Sequence, residues 1–161
     1  MKKLTTAQII FSLLTLTVMV CIFLFSCENS DESSETSGNF VKIIINIFYK
    51  DFDRMTEYQQ TEIHNQISHI IRKTAHFSIY TALGFFSSLA IGKRKLISLK
   101  SAEVTVFCFL YACSDELHQY FVPGRSCMFT DVLIDTCGSI TGLLISAVLM
   151  KIITRKNAVP E

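Results

Sequence analysis

Gln8-Ile9-Ile10-Phe11-Ser12-Leu13-Leu14-Thr15-Leu16-Thr17-Val18-Met19-Val20-Cys21-Ile22-Phe23-Leu24-Phe25-Ser26 carries no charge over 19 residues. Wound as a helix it is about 28 Å long, close to the roughly 30 Å hydrocarbon layer of a bilayer. Lys2 and Lys3 precede it. A secretion signal has the same layout, and Leu24-Phe25-Ser26-Cys27 approaches a lipoprotein cleavage box. Phe25 is bulky for that box and the block is long for a signal, so an uncleaved span is expected.

Three more apolar blocks follow, over residues 74–92, 101–120 and 129–153, with charges collected between them. The expected fold is an all-α membrane protein with four transmembrane helices. It forms one domain over residues 1–161, with spans at about 8–26, 74–92, 101–120 and 129–153 and an outer loop at 27–71. The 161-residue chain is half hydrophobic and its net charge is +1, so no basic field points to nucleic acid.

The outer loop has two parts. Residues 27–39 are polar and acidic, with Glu28, Asp31, Glu32 and Glu35 among serines, and read as a flexible exposed loop. Residues 40–71 are amphipathic: Val41, Ile44, Ile45 and Phe48, then Ile63, Ile67, Ile70 and Ile71, recur at helical spacing. This extracytoplasmic segment reads as one or two helices on the membrane surface or capping the bundle, the second continuing into the next span. His64 and His69 fall here and read as solvated or interfacial.

Basic residues set the orientation. Nine of fifteen Lys/Arg (Lys2, Lys3, Lys93, Arg94, Lys95, Lys100, Lys151, Arg155 and Lys156) lie in the N-terminus, the 92–100 loop and the C-terminus. The positive-inside rule places those three stretches in the cytoplasm. The protein is therefore expected as a multi-pass membrane protein with both termini cytoplasmic.

Depth then singles out a level. His76 lies about 22 Å from Ile91, Asp115 about 21 Å from Ser101, and Asp135 about 22 Å from Met150. Three helices thus carry an ionisable group in the outer third of the membrane. Arg72, His76 and Tyr80 are four apart, Asp115 stands three and four from His118 and Gln119, and Asp131 and Asp135 are four apart. Such spacings share a helix face. Gly138 and Gly142 extend the Asp131–Asp135 stripe and let another backbone approach. Val122-Pro123-Gly124-Arg125 is a turn, with Pro123 fixing φ and Gly124 permitting the left-handed region.

Ionisable groups at hydrocarbon depth are costly unless paired or hydrated. One reading is a buried ion-pair network that locks the helix ends. The other is an outward-facing polar pocket. There Arg72, Lys73, His76, Tyr80, Gln119 and Arg125 would hold an anionic ligand. His76, Asp115, Glu116, His118, Asp131 and Asp135 offer an acid, a base or metal ligands. No organic cofactor is expected, and the residue set allows a divalent metal.

The six cysteines show no metal-ligand spacing. Cys21, Cys108 and Cys137 read as small apolar side chains. Cys113 and Cys127 both fall near the outer surface, which leaves a bridge between them open, although no pattern calls for one.

Arg72-Lys73-Thr74-Ala75-His76-Phe77-Ser78-Ile79-Tyr80 with Leu83-Gly84, Ser114-Asp115-Glu116-Leu117-His118-Gln119-Tyr120-Phe121-Val122-Pro123-Gly124-Arg125, and Asp131-Val132-Leu133-Ile134-Asp135-Thr136-Cys137-Gly138 with Gly142 resemble, in order, the three motifs of the VanZ-like family. The resemblance spans nearly the whole chain except residues 39–66. It implies a protein of the bacterial plasma membrane with a role in the cell envelope; the family's namesake is associated with low-level teicoplanin resistance, and most members are unlinked to resistance. The leading expectation is a pocket that binds an anionic lipid-linked cell-wall intermediate, a membrane lipid or a glycopeptide-type ligand. The alternative is a membrane-embedded enzyme acting on a lipid headgroup. A transport role would need a homo-oligomer or a membrane-protein partner, because four short spans leave little room for a path.

Overall fold

The structure, a computed structural model, describes residues 4–92, 98–125 and 127–156. Among these residues there are five α-helices and one short 3-10 turn: α1 (Thr6–Cys27), α2 (Ser30–Phe48), the turn Phe52–Arg54, α3 (Glu57–Ile91), α4 (Leu99–Gln119) and α5 (Phe129–Lys156). No strand occurs among the described residues. Lys2, Lys3 and the Lys93–Lys95 cluster, on which the orientation rests, lie outside the described residues.

The helix starts are written in the sequence. Thr5 accepts from the Gln8 amide while the Gln8 side chain accepts from the Thr5 amide, and Thr56 and Gln59 repeat this reciprocal box at α3. α3 has 35 residues and is about 52 Å long, well beyond a bilayer's hydrocarbon. Its first half packs on α2 through Val41, Ile45 and Ile67, with Ile44, Ile63 and Ile71 alongside. The amphipathic segment therefore does run straight into the second block.

Residues 27–39 differ from the expected loop, because α2 already begins at Ser30. Asn29 and Glu32 exchange side-chain to backbone hydrogen bonds at 2.9 and 3.0 Å, which starts the helix. Ser33, Ser37, Val41 and Ile45 are buried at four-residue spacing. The first two turns thus present serines inward, small enough for close approach. That face reads as polar in the sequence although it is packed.

Among the described residues, the expected count of four spans is met by only three helices on length and composition. Thr6–Cys27, Glu57–Ile91 and Phe129–Arg155 are long and apolar enough to cross a membrane. α4 carries Glu103, Asp115 and Glu116, and these acids exclude it on composition. Its inner face is nonetheless core: Val104, Cys108 and Ala112 pack with Ile22 of α1, Tyr80 and Leu83 of α3, and Val132 and Leu143 of α5. The outward faces are apolar, with Leu13 and Leu16 of α1 more than half exposed.

α3 and α5 make the most extensive helix pair. Gly138 lies on the Phe77 carbonyl, Gly142 on the Thr81 carbonyl and Gly84 on the Ser139 carbonyl. At each a Cβ would collide with backbone, so the absence of side chains sets how closely the helices approach. This contact brings His76 and Asp135 together.

Candidate functional site

His76 on α3, Asp115 on α4 and Asp135 on α5 converge, with one ligand atom from each lying within 4.8 Å of the others. Asp135 is fully buried and Asp115 is 5% exposed. His76 Nδ1 stands 3.7 Å from Asp135 Oδ2. That exceeds hydrogen-bond reach, and neither oxygen of Asp135 nor His76 Nδ1 has a hydrogen-bond partner. Asp115 is better supplied: its Oδ2 accepts from the Tyr80 hydroxyl and from Gln119 Nε2, both at 3.3 Å. Tyr80 therefore packs in the core with its hydroxyl turned to the cluster.

Beside the triple opens a polar cavity of about 140 Å³. Arg72, Lys73, Glu116, Gln119, Arg125 and Asp131 line it with His76 and Asp135. Lys73 Nζ donates to Asp131 Oδ1 at 2.5 Å across the α3–α5 contact, and each side chain is about a quarter exposed. Glu116 is almost fully buried, and its Oε2 accepts the Met128 amide at 3.0 Å, which ties the α4–α5 turn to α4. Gly124 closes that turn at φ 74°, a conformation that favours glycine. Pro123 precedes it, exposed to solvent.

Arg125 has a structural duty as well. Its Nε donates to the Glu28 carbonyl at 3.1 Å and its Nη2 to the Phe25 carbonyl at 3.4 Å. A cation thereby caps the negative end of α1. Burial lowers the Arg125 pKa from its ordinary value, and the nearby Arg72 charge lowers it further. Arg72 differs, because its buried Nε has no hydrogen-bond partner although the side chain lines the cavity.

His118 does not join the cluster. Its Nδ1 lies 3.0 Å from the buried Ser26 hydroxyl, and its ring sits 5.1 Å from the Phe23 ring, in the α1–α4 seam. His69, read from sequence as solvated or interfacial, lines the polar cavity. It stands three before Arg72 and four before Lys73, so extending the Arg72–His76 stripe backwards finds it. The carbonyls of Phe25 and Glu28 carry no side-chain signal and were not legible. All six cysteines are free thiols, so Cys113 and Cys127 are not bridged.

A second cavity, of about 730 Å³, adjoins the first. Ile22, Phe25, Phe40, Ile44, Ile71 and Ile79 line this groove between α1, α2 and α3. Arg72, His76 and Arg125 line both spaces.

The model of the family described as VanZ/LLP1 matches residues 11–151, most of the chain. The protein belongs to that family. No curated protein and no solved structure matches it significantly.

Proposed function

We propose that this VanZ/LLP1-family protein holds an anionic membrane amphiphile, with its headgroup in the polar cavity and its hydrocarbon chain in the apolar groove. The observation that carries this is the sharing of Arg72, His76 and Arg125 between the two spaces. Guanidinium groups at the mouth of an apolar channel suit a phosphate joined to a hydrocarbon chain. The groove's volume falls in the range of sites that bury small organic ligands.

The same reading takes α4 as a fourth span. The connections at 92–98 and 120–128 are short, and α4 packs into the core shared by α1, α3 and α5. Its Asp115 and Glu116 are buried against protein rather than turned to the surrounding surface. Gln8 of α1 reaches the Ile91 carbonyl at the end of α3, while Arg125 reaches the end of α1. The α4–α5 turn thus lies by the end of α1, opposite the end of α3 that meets the start of α1, which supports a crossing by α4. With the basic stretches cytoplasmic, the cavity faces outward.

A lipid-linked cell-wall intermediate is the amphiphile class we favour, since it would link the pocket to the glycopeptide susceptibility associated with the family's namesake. The test is native mass spectrometry of the detergent-extracted chain offered a polyprenyl phosphate, phosphatidylglycerol or phosphatidylcholine. Wild type should retain polyprenyl phosphate, and Arg72→Glu should retain at least tenfold less. Phosphatidylglycerol held as well as polyprenyl phosphate would overturn the lipid class. Equal retention of every lipid by both proteins would overturn the site.

A further inference from the structure

We infer that His76, Asp115 and Asp135 form a divalent-cation site at the floor of the polar cavity. The inference rests on the juxtaposition of three ligand atoms from three helices within 4.8 Å. A second observation points to an absent partner: both oxygens of the fully buried Asp135, and His76 Nδ1 facing them, have no hydrogen-bond partner.

Two of the three cations lining the cavity are otherwise engaged. Lys73 is paired to Asp131, and Arg125 donates to the carbonyls of Phe25 and Glu28. A neutral imidazole with two carboxylates carries two negative charges, which a divalent ion cancels. A buried carboxylate left unpaired is costly, and the ion removes that cost. One nitrogen and two carboxylate ligands suit zinc or manganese. Ligand distances near 2.0–2.2 Å require the three side chains to close by roughly 1 Å, a rotation of side-chain torsions rather than a shift of helices.

Asp115 is already held for this role. Tyr80 and Gln119 donate to its Oδ2 and fix the carboxylate plane, as outer partners do around metal ligands. Three protein ligands leave positions open. His76 and Asp135 both line the polar cavity, so those positions face the space where Arg72 stands. The cation site does not depend on lipid binding, and metal content is measured on delipidated protein.

The full chain, purified in detergent and freed of lipid, is treated with chelator, dialysed against manganese or zinc, and analysed for metal by mass spectrometry. We expect about one ion per chain and a raised melting temperature that chelator reverses. Asp135→Asn and Asp115→Asn should each bind at least tenfold less metal, and Glu103→Gln, exposed on the far part of α4, should bind as wild type does. If the aspartate variants do not fold, wild type still decides the matter. Less than a tenth of an ion per chain, or no metal-dependent shift in melting, overturns the site. Undiminished loading of folded Asp135→Asn overturns it equally.

Discussion

The α-carbon of Gly142 on α5 sits so near the Thr81 carbonyl of α3 that a Cβ would overlap it and crowd the Phe85 amide. Backbone cannot rotate away as a side chain can, so the two helices would have to separate. Gly142→Ala should therefore destabilise the protein by about 1–3 kcal/mol. It should also loosen the His76–Asp135 approach that this contact creates. Gly38 of α2 has nothing within 4 Å of its Cβ position. Gly38→Ala should be neutral or should stabilise by up to about 1 kcal/mol. Thermal melts in one detergent compare the pair, and equal destabilisation would refute the packing argument.

The Gly138–Gly142 stripe was legible because glycine spacing and aspartate spacing coincide on one face. The position of His118 was not. At 100° per residue, His118 and Gln119 lie on opposite flanks of Asp115. Three- and four-residue spacing alone does not say which flank meets which neighbour. The packing of α1 decides it: Ser26 and Phe23 take His118, and Gln119 turns to Asp115. The first turns of α2 escaped notice for a related reason, since a helix face lined by Ser33 and Ser37 has no apolar period to detect. α4 was expected as a span from its apolar first part, and its acids set it apart from the three helices apolar enough to cross, although Asp115 and Glu116 are buried.

Arg72 and Arg125 line the same two spaces, yet their variants should behave differently. Arg125→Gln removes the charged donors that cap α1 and should cost about 1–3 kcal/mol. Arg72 Nε has no hydrogen-bond partner to lose. Arg72→Gln should leave the melting temperature within a few degrees of wild type while lowering retention of anionic lipid. Native mass spectrometry and thermal melts on the same preparations separate the effects. An Arg72 variant that unfolds while retaining lipid would contradict this assignment.

Asp135 gives a prediction whose sign depends on the ion. In chelator-treated protein the Asp135 carboxylate is buried without a hydrogen bond, so Asp135→Asn should melt at or above wild type. The gain expected is up to about 3 kcal/mol, the scale for relieving an uncompensated buried charge. With manganese or zinc the order should invert, because only wild type gains from the ion. A variant less stable in both conditions would mean that Asp135 is already satisfied by His76 alone.

Lys73 and Asp131 bridge α3 and α5 while each stays about a quarter exposed. Partial solvation keeps such a pair weak, so a double-mutant cycle with Lys73→Met and Asp131→Asn should give a coupling below about 1 kcal/mol. Urea or thermal unfolding of the four proteins measures it. A coupling of several kcal/mol would move this pair from the rim of the cavity into the buried network.

Two native cysteines test the orientation directly. Cys27 ends α1 and Cys127 precedes α5, and both are exposed, whereas Cys108 is buried in the core. With four spans and a cytoplasmic N-terminus, the end of α1 and the start of α5 lie on the same outer side. A membrane-impermeant maleimide added to intact cells should therefore label Cys27 and Cys127 and leave Cys108 untouched. Cys27→Ser and Cys127→Ser should each remove one label, and the double variant should remove both. If α4 did not cross, α3 and α5 would connect on one face and Cys127 would lie opposite Cys27. Labelling of only one of the two would then exclude the four-span bundle, and labelling of neither in intact cells but both in opened cells would reverse its orientation.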